Sequence, residues 1–468
     1  MIKRHSPGTA TMRVFCALAI LALLVAGCGP TPTPTPTPVP PTPTKAPLPP
    51  TATPVPATAI PPTATSVPPT ATAVPPTATP APQPVKLTLG VWGSAAQEAI
   101  YQAAIKAFKA KYPSIDVELV TAPDFLPFLQ KLQTMMAGGN PPDVIDLGNE
   151  WYAPFVAKGA FLDLTPFIQS DTDFKLDAYL PAALEPLKFG GKLYGLPKAL
   201  GVDGLYYNKK LFDKADLKYP DNTWKWADLL AAAQKLTIRD AATNRVTQYG
   251  WADSGQNMWP WIWQNGGSVF DVERNPTKCT MNQAAALEAL QYYVDLSIKH
   301  KVAPTVAELQ QTPFRDLFMS GRAAMLYDTV GAQISYATIK DFEWGVTELA
   351  QGKQRAVVMT ENGWAISAMS KKPKEAWLLA KFLAGPDGVN ILLKADKTIP
   401  ALKAVTGDTP KAFLDALAYS KPFFTSPKLL EMLAIFQAEY PAAALGAKPL
   451  KDTTDSMCTK IDAVLAQK

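Results

Sequence analysis

No packed core can form between Pro30 and Pro84. That stretch holds 22 of the chain's 46 prolines, interleaved with threonine and alanine. Proline removes a backbone donor and fixes φ, and the segment is too poor in apolar residues to offset chain entropy. It is expected to run as extended polyproline II, with a reach on the order of 150 Å. Folding is therefore confined to residues 85–468. Charge divides at the same place. Residues 1–84 contain no Asp or Glu and four bases, Lys3, Arg4, Arg13 and Lys45. Removing these four from the 45 Lys plus Arg leaves 41 bases against 40 acids in the folded part. A general nucleic-acid binder needs a bulk surplus of positive charge, and none exists here.

The leader is of another kind. Lys3, Arg4 and Arg13 form a basic region, and Val14 to Ala26 is an unbroken apolar run of 13 residues. A bilayer-spanning helix needs ~20 residues, so the run suits a signal peptide, residues 1–27. It ends in Val25-Ala26-Gly27-Cys28, which resembles the bacterial lipobox. That resemblance implies a diacylated Cys28 as mature N-terminus and a chain held on the outer face of a membrane, outside the cytoplasm. Two acyl chains anchor firmly because each buried CH₂ contributes ~0.8 kcal/mol. Residues 28–84 then read as a stalk between anchor and folded part.

The folded part alternates strands and helices. Val85–Val91 alternates in polarity, and Ser94-Ala-Ala-Gln97 is a capping box opening a helix that carries Tyr101, Ile105 and Phe108 on one face. Ile115–Val120 is a second strand, Phe128–Met136 a second helix and Pro142–Leu147 a third strand. This β-α-β-α-β order predicts a parallel sheet in an α/β fold. About 380 residues exceed one usual core, so two lobes are the economical reading, with ligand bound beyond the strands' carboxyl ends.

The chain is short of catalytic vocabulary. Its two histidines are His5, in the leader, and His300. One histidine cannot build a His-rich metal site. No P-loop, G-x-S-x-G elbow or C-x-x-C pair occurs. No metal, cofactor or catalytic residue is expected.

Several segments, in order, resemble the family 1 extracellular solute-binding proteins, the sugar-binding receptors of bacterial ABC importers. They are Phe108–Val117, Ala137–Val144, Gly191–Pro197, Tyr206–Lys209, Thr223-Trp224, Asn265–Gly267, Phe318–Leu326 and Gly363–Ser367. The resemblance implies a two-lobe periplasmic-binding-protein-like fold, each lobe a sheet flanked by helices, joined by a multi-crossing hinge. It places one lobe at residues 85–197 and 350–396, the other at 198–349 and 397–468. It also implies a monomer that binds a small solute, a mono- or oligosaccharide, and delivers it to ABC permease subunits.

A sugar presents hydroxyls at its rim and C–H faces, so its site needs aromatic planes, carboxylates and amides. Candidates at strand–loop junctions are Trp92, Gly93 and Ser94, then Asn149, Glu150 and Trp151, then Glu361, Gly363 and Trp364. The second lobe offers Asp203, Tyr206 and Asp328, with one or two of Trp259, Trp261 and Trp263 in the cleft and the rest in core. Cys279 and Cys458 fall in one lobe, and export favours a disulfide between them. Two other functions fit the composition: an extracellular carbohydrate-active enzyme using paired carboxylates, and a wall- or glycan-binding adhesin on a stalk.

Overall fold

A computed structural model describes residues 84–467 apart from Asp124 and Thr406. The signal peptide, the lipidated Cys28 and the tether as far as residue 83 lie outside the described residues. Strand β1 (Val85–Trp92) turns Leu87, Leu89 and Val91 into the core. It pairs in parallel with β2 (Ile115–Ala122), from Val85 opposite Ile115 to Trp92 opposite Ala122. Parallel neighbours require a crossover, and α1 (Ala95–Lys111) supplies it. Ser94 starts this helix through the expected capping box. Its Oγ accepts from the Gln97 N–H at 3.4 Å, and Gln97 Oε1 accepts from the Ser94 N–H at 2.9 Å. Tyr101, Ile105 and Phe108 are all buried. Helix α2 (Phe125–Ala137) then leads to β3 (Val144–Gly148), buried throughout and parallel to β1.

One long strand joins the two lobes. β4 (Leu196–Asn208) has 13 residues, about twice the usual strand length. After it come β5 (Val246–Ala252), β6 (Ala323–Thr329) and β7 (Val357–Ile366). Leu196–Val202 of β4 lies antiparallel to β7, which lies antiparallel to β3. From Asp203 onward β4 is antiparallel to β6, and β6 is parallel to β5. The sheet order is β2-β1-β3-β7-β4-β6-β5, ending in the two-residue edge strand Ile238–Arg239. The opening is thus parallel as expected, while β7 and β4 add antiparallel ladders at the junction. The lobe boundary expected after Pro197 falls inside β4, whose partner changes between Val202 and Asp203. A strand that serves two ladders carries no turn signal where it changes partner. Two more segments return to this junction: Ile399–Pro400 pairs with Leu200 and Ala199, and Ser420–Pro422 runs parallel to the start of β7.

The second lobe packs around aromatic residues. Helix α3 (Trp226–Leu236) lies so close to β5 that a Cβ on Gly250 would sit 2.0 Å from the Ala233 carbonyl oxygen. Helix α4 (Trp259–Gln264) faces α5 (Ala284–Ile298). Trp261 is fully buried among Trp226, Trp251, Tyr292 and Tyr293. Trp259 packs on Phe423, Phe424 and Phe436, and Trp263 is buried too. All three tryptophans are core, which corrects the expectation that one or two face the cleft. Their short helix is buried on every side, so no face of it reaches solvent. Cys279 and Cys458 are bonded, with Cα atoms 5.0 Å apart across a sequence separation of 179. The bond ties the segment before α5 to the helix Leu450–Leu465.

Candidate functional site

Between the two ladders lies a cleft of about 440 Å³. One wall is the place where β1 becomes α1: Trp92, Gly93 and Ser94, with Gln97 and Tyr101 from the helix. Gly93 has φ +141°, and a Cβ there would meet Gln97 Oε1 at 2.7 Å, so glycine lets the capping side chain fold back. The facing wall follows the end of β6. It comprises Thr329, Gly331 and Ser335, with Arg315 from the short helix α6 (Phe314–Met319). Lys198 and Gly201 of β4 and Thr360 and Asn362 of β7 form the floor. Both walls stand at carboxyl ends of strands, where α/β sheets bind ligands.

The floor and one wall of the cleft each carry a cation backed by a buried aspartate. On the floor, Lys198 Nζ lies 2.6 Å from Asp146 Oδ2 and 2.9 Å from the Tyr101 hydroxyl. Tyr101 itself donates to Asp146 at 3.1 Å, and Asn362 Nδ2 approaches the other carboxylate oxygen at 3.4 Å. The ammonium also sits over the Tyr101 and Trp364 rings, 5.2 and 5.3 Å from their centroids. A charge pair this deep persists because hydrogen bonds and ring faces replace lost water. On the facing wall, Asp328 accepts from Arg315 Nε at 2.7 Å and Nη2 at 2.8 Å. It accepts also from the Tyr336 hydroxyl at 2.6 Å and the Thr329 N–H at 2.8 Å. The fork to Asp328 holds Arg315 more firmly charged than an isolated guanidinium.

Behind β7 the chemistry differs. Strand side chains alternate, so Thr360 and Asn362 face the cleft and Glu361 faces away. Glu361 is fully buried, and neither carboxylate oxygen has a hydrogen-bond partner among the described residues. Burial first, and then nearby Glu150 and Asp146, push its carboxyl well above the usual range. Burial likewise raises Glu150 to about 7. The Asn149 side-chain oxygen accepts from the Glu361 N–H at 3.0 Å, which pins the turn after β3 to β7. Gly363 is packed against the Tyr152 hydroxyl and Leu187, where a Cβ would meet atoms at 2.8 and 2.9 Å.

Of the residues singled out from sequence, Trp92, Gly93 and Ser94 line the cleft. Asn149, Glu150, Glu361 and Gly363 cluster behind β7. Trp151 stands on Phe125 at 5.4 Å, and Phe125 on Trp92 at 5.5 Å, so the three rings form a row. Trp364 is fully buried beneath Lys198. Tyr206 is core, packed on Tyr336, Trp344 and Phe413, and donates to the Thr329 carbonyl at 2.9 Å. Asp328 lies under Arg315 rather than on the surface of the cleft. Asp203 lies near it, and burial, with Asp328 as a second cause, raises its carboxyl to about 7. Sequence reasoning missed Lys198, Arg315, Tyr101 and Asn362. A signal existed for one pair: Asp146 is the lone charge of β3 and Lys198 the only cation of β4, and buried charges need a partner of opposite sign. Among the described residues, no three His, Cys, Asp or Glu side chains gather as a metal-binding set.

Residues 92–390 match the family model described as bacterial extracellular solute-binding protein. A galactooligosaccharide-binding protein of Bacillus subtilis is 23% identical over 388 residues, covering 78% of this chain and 87% of that one. An ABC substrate-binding protein of Listeria monocytogenes, solved in complex with cycloalternan, superposes with a TM-score of 0.75 at 27% identity. It covers 82% of this chain and all (100%) of that one. A maltose-bound protein of T. maritima has the same fold, with a TM-score of 0.69 at 24% identity, covering 81% of this chain and 100% of its own.

Proposed function

As the chain belongs to the bacterial extracellular solute-binding protein family, we propose that it captures an oligosaccharide between its lobes and delivers it to an ABC permease. The observation that carries this reading is the cleft of about 440 Å³ whose opposite walls come from different ladders of one sheet. Trp92 offers an aromatic plane for sugar C–H faces, and Ser94, Asn362, Thr329 and Ser335 offer groups that exchange hydrogen bonds with hydroxyls. The named relatives that bind galactooligosaccharide, cycloalternan and maltose support a saccharide as ligand.

Contacts to both walls exist together only when the lobes close. Ligand therefore shifts the population toward the closed form, which the permease then recognises. The moving bodies are the part built on β1, β2, β3, β7 and the start of β4, and the part built on β5, β6 and the rest of β4, which meet where β4 changes partner between Val202 and Asp203. The hinge is the junction where β4 changes partners and the two later segments return. Glu361 and Asn149, buried behind β7, and the half-buried Glu150 near them act on the ligand through the position of that strand. In this reading Cys28 is lipidated, residues 29–84 are the stalk, and the receptor works as a monomer on the outer face of the membrane.

The test is calorimetry and small-angle scattering with maltotriose, galactotriose, arabinotriose and cycloalternan. One of them should bind at one site, shrink the particle, and raise Tm; at 100 Kd the gain is about 2.7 kcal/mol. Turnover of the sugar would replace this reading with the enzyme, and retention on insoluble glycan without compaction would replace it with the adhesin.

A further inference from the structure

The second lobe has another cavity, about 420 Å³, which shares only α6 with the cleft, through Leu317 here and Arg315 there. It opens where β5 and β6 begin, at Val246 and Arg322, whereas the cleft lies at the other end of β6, beside Thr329. Seven residues of strand separate the two, roughly 20 Å. Four cations line it: Arg239, Arg245, Lys301 and Arg322. They come from the edge strand, the turn before β5, the turn after α5 and the residue before β6.

One carboxylate, Glu308, shares this lining, and its oxygens are engaged. Oε1 accepts from the Tyr249 hydroxyl at 2.8 Å, and Oε2 accepts from the Thr305 N–H and hydroxyl, each at 2.8 Å. Among the described residues none of the four cations has a carboxylate at ion-pair distance. Arg239 is held in place by donating to the Asn244 and Lys301 carbonyls, both at 3.1 Å. Lys301 and Asn244 adopt left-handed backbone, φ 52° and 55°, so these two turns are specific conformations. In a folded part with 41 bases and 40 acids, four like charges round one concavity are a local concentration, not a general surplus.

We propose that this cavity is a second binding site, for a phosphate-bearing small ligand. Guanidinium forks match phosphate oxygens two at a time, and the ligand's charge offsets the mutual repulsion of the four cations. The Thr312 hydroxyl in the same lining suits a further phosphate oxygen. The concave wall favours a compact ligand over a flat surface. Such a site is independent of the saccharide cleft.

The experiment titrates the purified full chain by calorimetry with two probes, pyrophosphate and dihexanoyl phosphatidylglycerol below its micelle concentration. The first represents a free phosphate, the second a lipid headgroup. Saturable one-to-one binding of either supports the site and assigns the source. The informative variant is the pair Arg245→Gln and Arg322→Gln, because neither guanidinium makes a hydrogen bond or ion pair among the described residues. It should leave Tm unchanged and weaken the bound probe about tenfold or more, because two of its charge-assisted partners are gone. Trp92→Ala, in the cleft, should leave that probe's affinity unchanged. Binding of neither probe, unchanged affinity in the double variant, or loss of affinity in Trp92→Ala overturns the proposal.

Discussion

The two charge pairs at the cleft each set a cation against a buried aspartate and sit in different surroundings. Lys198 and Asp146 are both desolvated, with side chains 7% and 1% exposed. Arg315 is 47% exposed while its partner Asp328 is 5% exposed. The first pair lies in the sheet, joins β3 to β4 and has ring faces beneath it. The second projects from a short helix and keeps one side in the cleft. The deeper burial makes the first pair matter more to the fold. The buried pair is part of the junction between lobes, and the half-exposed pair is free to answer to a ligand.

Substitutions at the pairs put this difference to the test. Lys198→Met leaves Asp146 charged and buried, and should cost about 3–5 kcal/mol in denaturant unfolding. Adding Asp146→Leu should recover a large part of that loss, because both charges are then gone. A loss under 1 kcal/mol for Lys198→Met would show that water reaches the floor.

The next effect is on pH dependence. Asp203 has its carboxyl raised from 3.8 to about 7 in the fold, and Glu150 from 4.5 to about 7. The unfolded chain ionises these groups first, so stability present below about pH 4 is lost as pH rises toward about 7. Asp203→Asn should flatten part of that decline in Tm measured between pH 4 and 8. An unchanged slope would mean that Asp203 is ionised in the fold.

Arg315→Gln should cost less than Lys198→Met, about 1–2 kcal/mol, because Asp328 keeps the Tyr336 hydroxyl and the Thr329 N–H. Equal losses for the two would erase the contrast between the pairs. The smallest effect belongs to Tyr101→Phe. It removes one hydroxyl from between Lys198 and Asp146, at about 1 kcal/mol, and keeps the ring.

Much of the first lobe was legible because its signals are local. The alternation of Val85–Val91, the Ser94–Gln97 capping box and the helical face of Tyr101, Ile105 and Phe108 all reappear in the structure. The lining of the cleft was legible only where a strand ends, at Trp92, Gly93 and Ser94. Glu361 and Gly363 stand out in the sequence by their place at a strand junction, yet Thr360 and Asn362 hold the parity that faces the cleft. Trp259, Trp261 and Tyr206 were chosen as aromatic, and aromatic clusters supply core area as readily as they supply ring faces.

The order of residues alone settled the Pro-rich break in the chain, the near-neutral folded part and the α/β alternation, since each depends on composition or on neighbours a few positions apart. Folding decided which charges meet, which side of β7 looks into the cleft, and where β4 changes partner. Lys198 and Asp146 stand 52 positions apart, and Asn362 and Asp146 stand 216 apart. No local pattern carries that information, because burial and partnership are properties of surfaces brought together in space.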